Sequence, residues 1–77
     1  MGARKFSTFD VRPVLARGEE PFPEIRARAS RLTGGSGLIV IAPFLPAPLI
    51  EILRSEGFEV SVEHRPDGGW SVSLWRE

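Results

Sequence analysis

The chain has no cysteine and no tyrosine, and His64 is the only histidine among its 77 residues. The lack of cysteine excludes a disulfide framework, a thiolate metal site and thiol catalysis. With a single histidine, carboxylates are the only plentiful groups that exchange protons near neutral pH. We therefore expect no catalytic residue, no cofactor and no bound metal.

An excess of charge of one sign is also lacking, since ten basic residues balance ten acidic ones. A neutral chain has no overall field that would attract nucleic acid or an anionic membrane. The longest apolar run, around Leu38 to Phe44, is too short to cross a bilayer. The basic first residues are followed by no apolar stretch of the kind found in a signal peptide. We expect a cytoplasmic protein that binds neither nucleic acid nor membrane.

The composition that remains is that of a small globular protein, with 42% hydrophobic and 26% charged residues. Residues 1–77 fit one domain. A chain of this size buries about 60–65% of the surface that its unfolded form exposes. We therefore expect a free energy of unfolding of only a few kcal/mol.

Two proline-rich steps, Glu20-Pro21-Phe22-Pro23 and Leu45-Pro46-Ala47-Pro48, each precede a run of periodic apolar residues. Proline is tolerated in the first turn of a helix, because the amide hydrogen that it lacks would have no partner there. The first step predicts a helix from about Pro21 to Leu32, with apolar residues three and four apart. The second predicts a helix from about Pro46 to Glu56, which Gly57 ends.

Four segments have the pattern of strands: residues 6–12, 38–42, 58–64 and 70–75. The second is apolar without interruption, as is typical of a central parallel strand. The last two alternate apolar with polar residues, and a glycine-containing loop joins them as a hairpin. Residues 13–20 are predicted to form a loop.

The predicted order is therefore β-α-β-α-β-β. Strand-helix-strand crossovers are right-handed, so both helices fall on one face of a four-stranded mixed sheet. The sequence predicts an α/β (α+β) two-layer sandwich.

Five stretches carry a resemblance that spans nearly the whole chain: residues 9–12, 21–23, 32–37, 46–49 and 70–74. In their order and spacing they resemble the TusA/SirA-like family of small sulfur-carrier proteins. They are most similar to a cysteine-free branch of that superfamily, known only as a domain of unknown function. The resemblance implies the same two-layer fold.

The residue before the first proline departs from the sulfur carriers. Those proteins have a Cys-Pro-x-Pro motif, in which the helix dipole lowers the pKa of the thiol. Glu20 stands in that place here and cannot form a persulfide, so the resemblance does not imply sulfur transfer. Members of the cysteine-free branch often have histidines near the first helix and after the second strand. This chain has none there, so a metal role is not implied either.

Three charged residues and two prolines before and at the start of the first predicted helix form a candidate ligand or partner site: Asp10, Arg12, Glu20, Pro21 and Pro23. Asp10 and Arg12 end the first strand, where open α/β sheets tend to bind ligands. They are able to grip a polar ligand, to pair with each other, or to pair with the glutamates near the helix start, and an internal ion pair is the favoured interpretation. The glutamates here, Glu20 among them, suit either a general base or a metal site, but favourable interaction with the helix dipole explains them more simply.

Trp75 is a candidate interface residue. If two helices cover one face of the sheet, Trp75 and half of the apolar second strand point away from them. An apolar strip with a tryptophan on a free face is typical of a contact surface. Alternatively, the N-terminal segment or the loop with Val14 and Leu15 folds over it, and both interpretations remain open.

The function that these patterns favour is a small non-catalytic binding or protein-interaction module on a sulfur-carrier-like scaffold. Its partner is another protein or a second copy of the chain, bound at the free sheet face or at the start of the first helix. The alternative is a small-ligand or metal-assisted role that uses Asp10, Arg12 and Glu20.

Overall fold

The computed structural model describes residues 4–77 as one sheet with three helices. The elements are, in chain order, β1 (Lys5–Asp10), α1 (Arg12–Ala16), α2 (Phe22–Ser30), β2 (Ser36–Ala42), α3 (Ala47–Ser55), β3 (Glu59–His64) and β4 (Trp70–Trp75). The strand order in the sheet is β1-β2-β4-β3. β1 is parallel to β2, and the other two pairs are antiparallel. The predicted four-stranded mixed sheet is confirmed.

The two main helices begin at the predicted proline steps. α2 and α3 each have a proline within their first two positions. α2 is shorter than the predicted span of residues 21–32, because Arg31 and Leu32 donate to carbonyls three residues earlier and so tighten the last turn. Gly57 follows α3 with φ +93°, which is the conformation that makes glycine suitable there.

The segment between β1 and α2 differs from the prediction of a loop. β1 ends at Asp10 rather than at Arg12, and residues Arg12–Ala16 form the short helix α1. The carboxylate of Asp10 accepts a hydrogen bond from the backbone N–H of Arg12 at 3.0 Å, which turns the chain out of the strand. Pro13 then lies in the first helical turn, where its fixed φ is compatible with a helix.

The core lies between one face of the sheet and the two helices α2 and α3. Leu38 and Val40 of β2 stand opposite Leu74 and Val72 of β4, and all four are at most 1% exposed. The helices supply Ile25, Ala29, Leu49, Ile50 and Leu53 to the same cluster. This common core shows that α2 and α3 cover the same face.

The opposite face of the sheet carries the alternate residues of each strand. One row across it consists of Phe6, Gly37, Trp75 and Glu59, in strand order. The next two rows are made mainly of small polar residues around Ile39 and Ile41. None of the helices within residues 4–77 has the length and apolar character needed to cross a membrane.

Candidate functional site

Asp10 and Arg12 form an ion pair with each other. The guanidinium donates from Nη2 to Asp10 Oδ2 at 2.8 Å and from Nε to Asp10 Oδ1 at 2.9 Å. Its Nη1 donates to Asp67 Oδ2 at 3.1 Å, and Asp67 also accepts from Arg65. Both ends of the predicted ligand clamp are thus engaged within the protein.

The electrostatics of this network follow from its hydrogen bonds. The bonds from the Arg12 side chain lower the pKa of Asp10, although partial burial opposes them. The backbone N–H of Gly69 and then the Arg12 guanidinium lower the pKa of Asp67 to about 2. The two carboxylates in turn raise the pKa of Arg12, Asp10 more than Asp67. All three groups stay charged near neutral pH, so none of them is suited to proton transfer there.

Glu20 lies apart from the ion pair at the start of α2. Its Oε1 accepts the backbone N–H of Phe22 at 3.0 Å, so it satisfies a donor that the helix leaves open. No hydrogen bond or ion pair among residues 4–77 joins it to Asp10 or Arg12. Of the predicted site residues, Asp10 and Arg12 thus bind each other, while Glu20, Pro21 and Pro23 line one depression at the start of α2.

The neighbouring glutamates have arginine partners. Glu19 Oε1 accepts from Arg17 Nη2 at 3.1 Å, and Glu24 Oε2 accepts from Arg28 Nε at 2.7 Å. Within residues 4–77 there is no group of three acidic or histidine side chains placed to hold a metal ion. Glu19 and Glu24 are thus engaged in ion pairs within the protein.

An apolar cleft opens between the starts of α2 and α3, beside the carboxyl ends of β1 and β2. Its volume is about 300 Å³. Its apolar side chains, apart from the prolines, are Val11, Leu15, Phe22, Ile25, Val40, Ala42, Phe44 and Leu49. Pro21, Pro46 and Pro48 also line it, and Glu20 is its only charged residue. Ligands of open α/β sheets bind at this edge of the sheet.

Phe44 is the most exposed of several cleft residues that the sequence analysis did not identify as part of a site. It lies in the short connection between β2 and α3 and is 55% exposed, the most of any large apolar side chain in the described residues. A phenylalanine that follows a complete apolar strand and precedes Pro46 was a usable signal, because it falls outside both the strand and the helix pattern. The predicted site residue Pro23 does not line the cleft; it lines a neighbouring depression, which Glu20 and Pro21 also border.

Trp75 lies on the free face of the sheet, against residues of the N-terminal segment. The Phe6 ring meets it edge-on at a centroid distance of 6.1 Å, and the Arg4 guanidinium lies 5.6 Å from its ring centre. Leu15 packs against the core on the other side of the sheet. Among residues 4–77, the contacts of Trp75 thus come from the neighbouring strand residue Phe6 and from Arg4, which precedes β1. Residues 1–3 lie outside the described part of the chain.

Comparison with curated proteins and with solved structures finds no match. The sequence model of one protein family, described as uncharacterized conserved protein (DUF2249), matches residues 8–76. The match begins within β1 and ends at the residue after β4, and so includes β2, β3, β4, the three helices and the residues that line the apolar cleft. The chain belongs to this DUF2249 family.

Proposed function

We propose that this protein is a non-catalytic binding module that takes an apolar side chain of a partner protein into the cleft between α2 and α3. The observation that carries the proposal is the position of Phe44. Its exposed ring borders an open apolar cavity instead of closing into the core. Exposed aromatic side chains beside an apolar pocket are typical anchors of protein interfaces.

The size and chemistry of the cleft support binding rather than catalysis. About 300 Å³ is at the lower end of the range for ligand pockets and suits one or two side chains. The only ionisable group that lines it, Glu20, already accepts a backbone hydrogen bond. The cleft therefore offers no pair of groups for acid–base work and no nucleophile.

The alternative role for Asp10, Arg12 and Glu20 in ligand or metal chemistry has no comparable support. Asp10 and Arg12 bind each other, whereas Glu20 accepts a hydrogen bond from the backbone N–H of Phe22. We make no proposal for that role. Self-association through the Trp75 face and a cytoplasmic location both stay predictions.

We further propose that the DUF2249 fold is related to the TusA/SirA-like fold. The strand and helix order supports this, as does the position of Glu20 two residues before α2, near the place of the sulfur-carrier cysteine. An experimental structure of this protein tests the relationship. A superposition that requires a different strand order would overturn it.

The binding proposal is tested by titrating the isotope-labelled protein with N-acetyl-leucinamide, an uncharged stand-in for an apolar side chain. We expect amide shifts at Ala42, Phe44 and Leu49, with a dissociation constant in the millimolar range, since a probe this small gives only about −4 kcal/mol.

Two variants locate the binding. Phe44→Ser is expected to remove the shifts, whereas Trp75→Ser is expected to leave them unchanged. The proposal is wrong if the wild-type protein shows no shifts around the cleft. It is also wrong if Trp75→Ser removes the shifts and Phe44→Ser does not, because binding would then belong to the sheet face.

A further inference from the structure

We propose that the partner segment bound by the cleft carries a Lys or Arg next to its apolar anchor, and that this cation binds between the Glu20 carboxylate and the Phe44 ring. The inference rests on the function proposed above, because it specifies the chemistry of the occupant. Three observations support it. The Glu20 carboxylate has unused hydrogen-bond acceptor sites, the cleft has few N–H donors, and the Phe44 ring has no aromatic or cationic partner within residues 4–77.

Glu20 differs from Glu19 and Glu24 in its ion pairing, although Arg17 and Arg28 line a neighbouring depression that Glu20 also borders. Glu19 and Glu24 pair with arginines at 3.1 and 2.7 Å, whereas no ion pair within residues 4–77 includes Glu20. Its one hydrogen bond, from Phe22 N–H, uses a single acceptor site, and a carboxylate has about four. The remaining sites are available to a charged donor at the edge of the cleft.

The cleft is poorly suited to an anion. The starts of helices ordinarily attract anions through free N–H groups. Here Pro21, Pro46 and Pro48 line the cleft and have no N–H, and Glu20 occupies the N–H of Phe22. The only charge on the lining is negative. Charge complementarity therefore favours a cationic group over a carboxylate or phosphate.

Phe44 is the one aromatic side chain in residues 4–77 that has no aromatic or cationic partner. Phe9, Phe58, Phe22 and Trp75 each have an arginine guanidinium 4.0 to 5.8 Å from the ring centre. Phe6 contacts Trp75, and Trp70 stacks against His64 at 4.6 Å. The faces of an exposed ring attract Lys and Arg, so Phe44 offers the contact that the other rings already make internally.

The test uses three dipeptides with blocked ends: leucyl-arginine, leucyl-glutamine and leucyl-glutamate. They share the apolar anchor and differ in charge. Dissociation constants come from amide shifts at Phe22 and Phe44. We expect leucyl-arginine to bind about fivefold more tightly than leucyl-glutamine, because an exposed ion pair contributes a binding free energy of about this size. Leucyl-glutamate is expected to bind more weakly than both. In 0.5 M NaCl the three constants are expected to converge, because salt screens exposed charges.

Glu20→Gln is the diagnostic variant. Its amide oxygen still accepts the N–H of Phe22, so α2 keeps its start, and the preference for leucyl-arginine is expected to disappear. Glu24→Gln is the matched control, since Glu24 is already paired with Arg28, and it is expected to keep the preference.

The outcomes separate the two proposals. Equal binding of the three dipeptides by the wild-type protein overturns the cation inference and leaves the apolar binding function in place. A preference that survives Glu20→Gln also overturns it. Absence of binding by all three overturns the function itself, and the inference with it.

Discussion

Arg12 and Asp67 are 55 positions apart in the sequence, yet Arg12 Nη1 donates to Asp67 Oδ2 at 3.1 Å. This bond joins the end of β1, an edge strand, to the turn between β3 and β4. The turn lies over the end of β2, since a Cβ added at Gly69 would come within 3.0 Å of the Ala42 carbonyl oxygen. The network therefore closes one end of the sheet across three of its strands.

The pH dependence of stability should report this network. The folded pKa of Asp67 is about 2, below its ordinary value of 3.8, so the folded state favours the charged carboxylate. The stabilisation is present above about pH 4 and is lost as the pH falls to 2 and below, because the carboxyl then becomes protonated in the folded state as well as in the unfolded state.

Asp67→Asn removes the titrating group. Its melting temperature should fall less steeply between pH 4 and pH 2 than that of the wild-type protein. Glu59→Gln is the control, because no ion pair within residues 4–77 includes Glu59. Parallel curves for the wild type and Asp67→Asn would contradict the assignment. Thermal unfolding followed by circular dichroism provides the measurement.

Gly37 and Phe6 should show coupled effects on stability. The Phe6 ring lies over Gly37, and a Cβ there would come within 2.8 Å of its Cζ atom. Gly37→Ala therefore displaces the ring and should destabilise the protein by about 1 kcal/mol. This is the lower end of the range of energies that overpacking typically costs. In a Phe6→Ala background the same change should be neutral or stabilising, because alanine loses less entropy than glycine in a strand.

Urea unfolding of the four proteins in this double-mutant cycle gives the coupling energy. Tryptophan fluorescence adds a local readout, since the Phe6 ring contacts Trp75. Additive free energies would show that the ring does not occupy the space over Gly37.

Leu53→Ala should be among the most damaging substitutions. The Leu53 side chain is 0% exposed and lies in the centre of the core. Loss of a buried leucine typically costs about 2–5 kcal/mol, which is comparable with the whole stability expected of a domain of this size. Glu51→Ala, on the exposed side of the same helix, is the control and should change the free energy of unfolding by less than about 0.5 kcal/mol. Similar losses for the two variants would place Leu53 outside the core.

Phe44→Ser and Leu45→Ser form a matched pair for the cleft. Both side chains are exposed, at 55% and 44%, but only Phe44 lines the cleft between α2 and α3. Leu45 lies instead beside Val62 and Trp70. Neither change should alter the free energy of unfolding by more than about 0.5 kcal/mol. In the N-acetyl-leucinamide titration, Phe44→Ser should abolish the shifts and Leu45→Ser should preserve them. Loss of the shifts in Leu45→Ser alone would move the binding site to the other side of the connection.

The sequence alone determined the four strands, the two main helices and their faces, because these depend on local periodicity; the short helix α1 was not predicted. The alternation of Val72 and Leu74 with Ser71 and Ser73 assigned the two sides of β4, and the proline steps located the starts of α2 and α3. The same parity placed Trp75 on the face away from the helices. The ion pair of Asp10 and Arg12 also followed from sequence, since the two residues are only two positions apart.

Tertiary structure decided which loops meet at the end of the sheet. The hydrogen bond from Arg12 to Asp67 depends on how the chain returns after each strand. The same is true of Glu20, which bonds to Phe22 rather than to Arg12. The exposure of Phe44 beside the cleft has the same origin, because the other residues of the cleft come from α1, α2, β2 and α3 as well as from its own segment. No periodic pattern encodes such distances, since they arise only when the helices pack on the sheet and fix the connections between them.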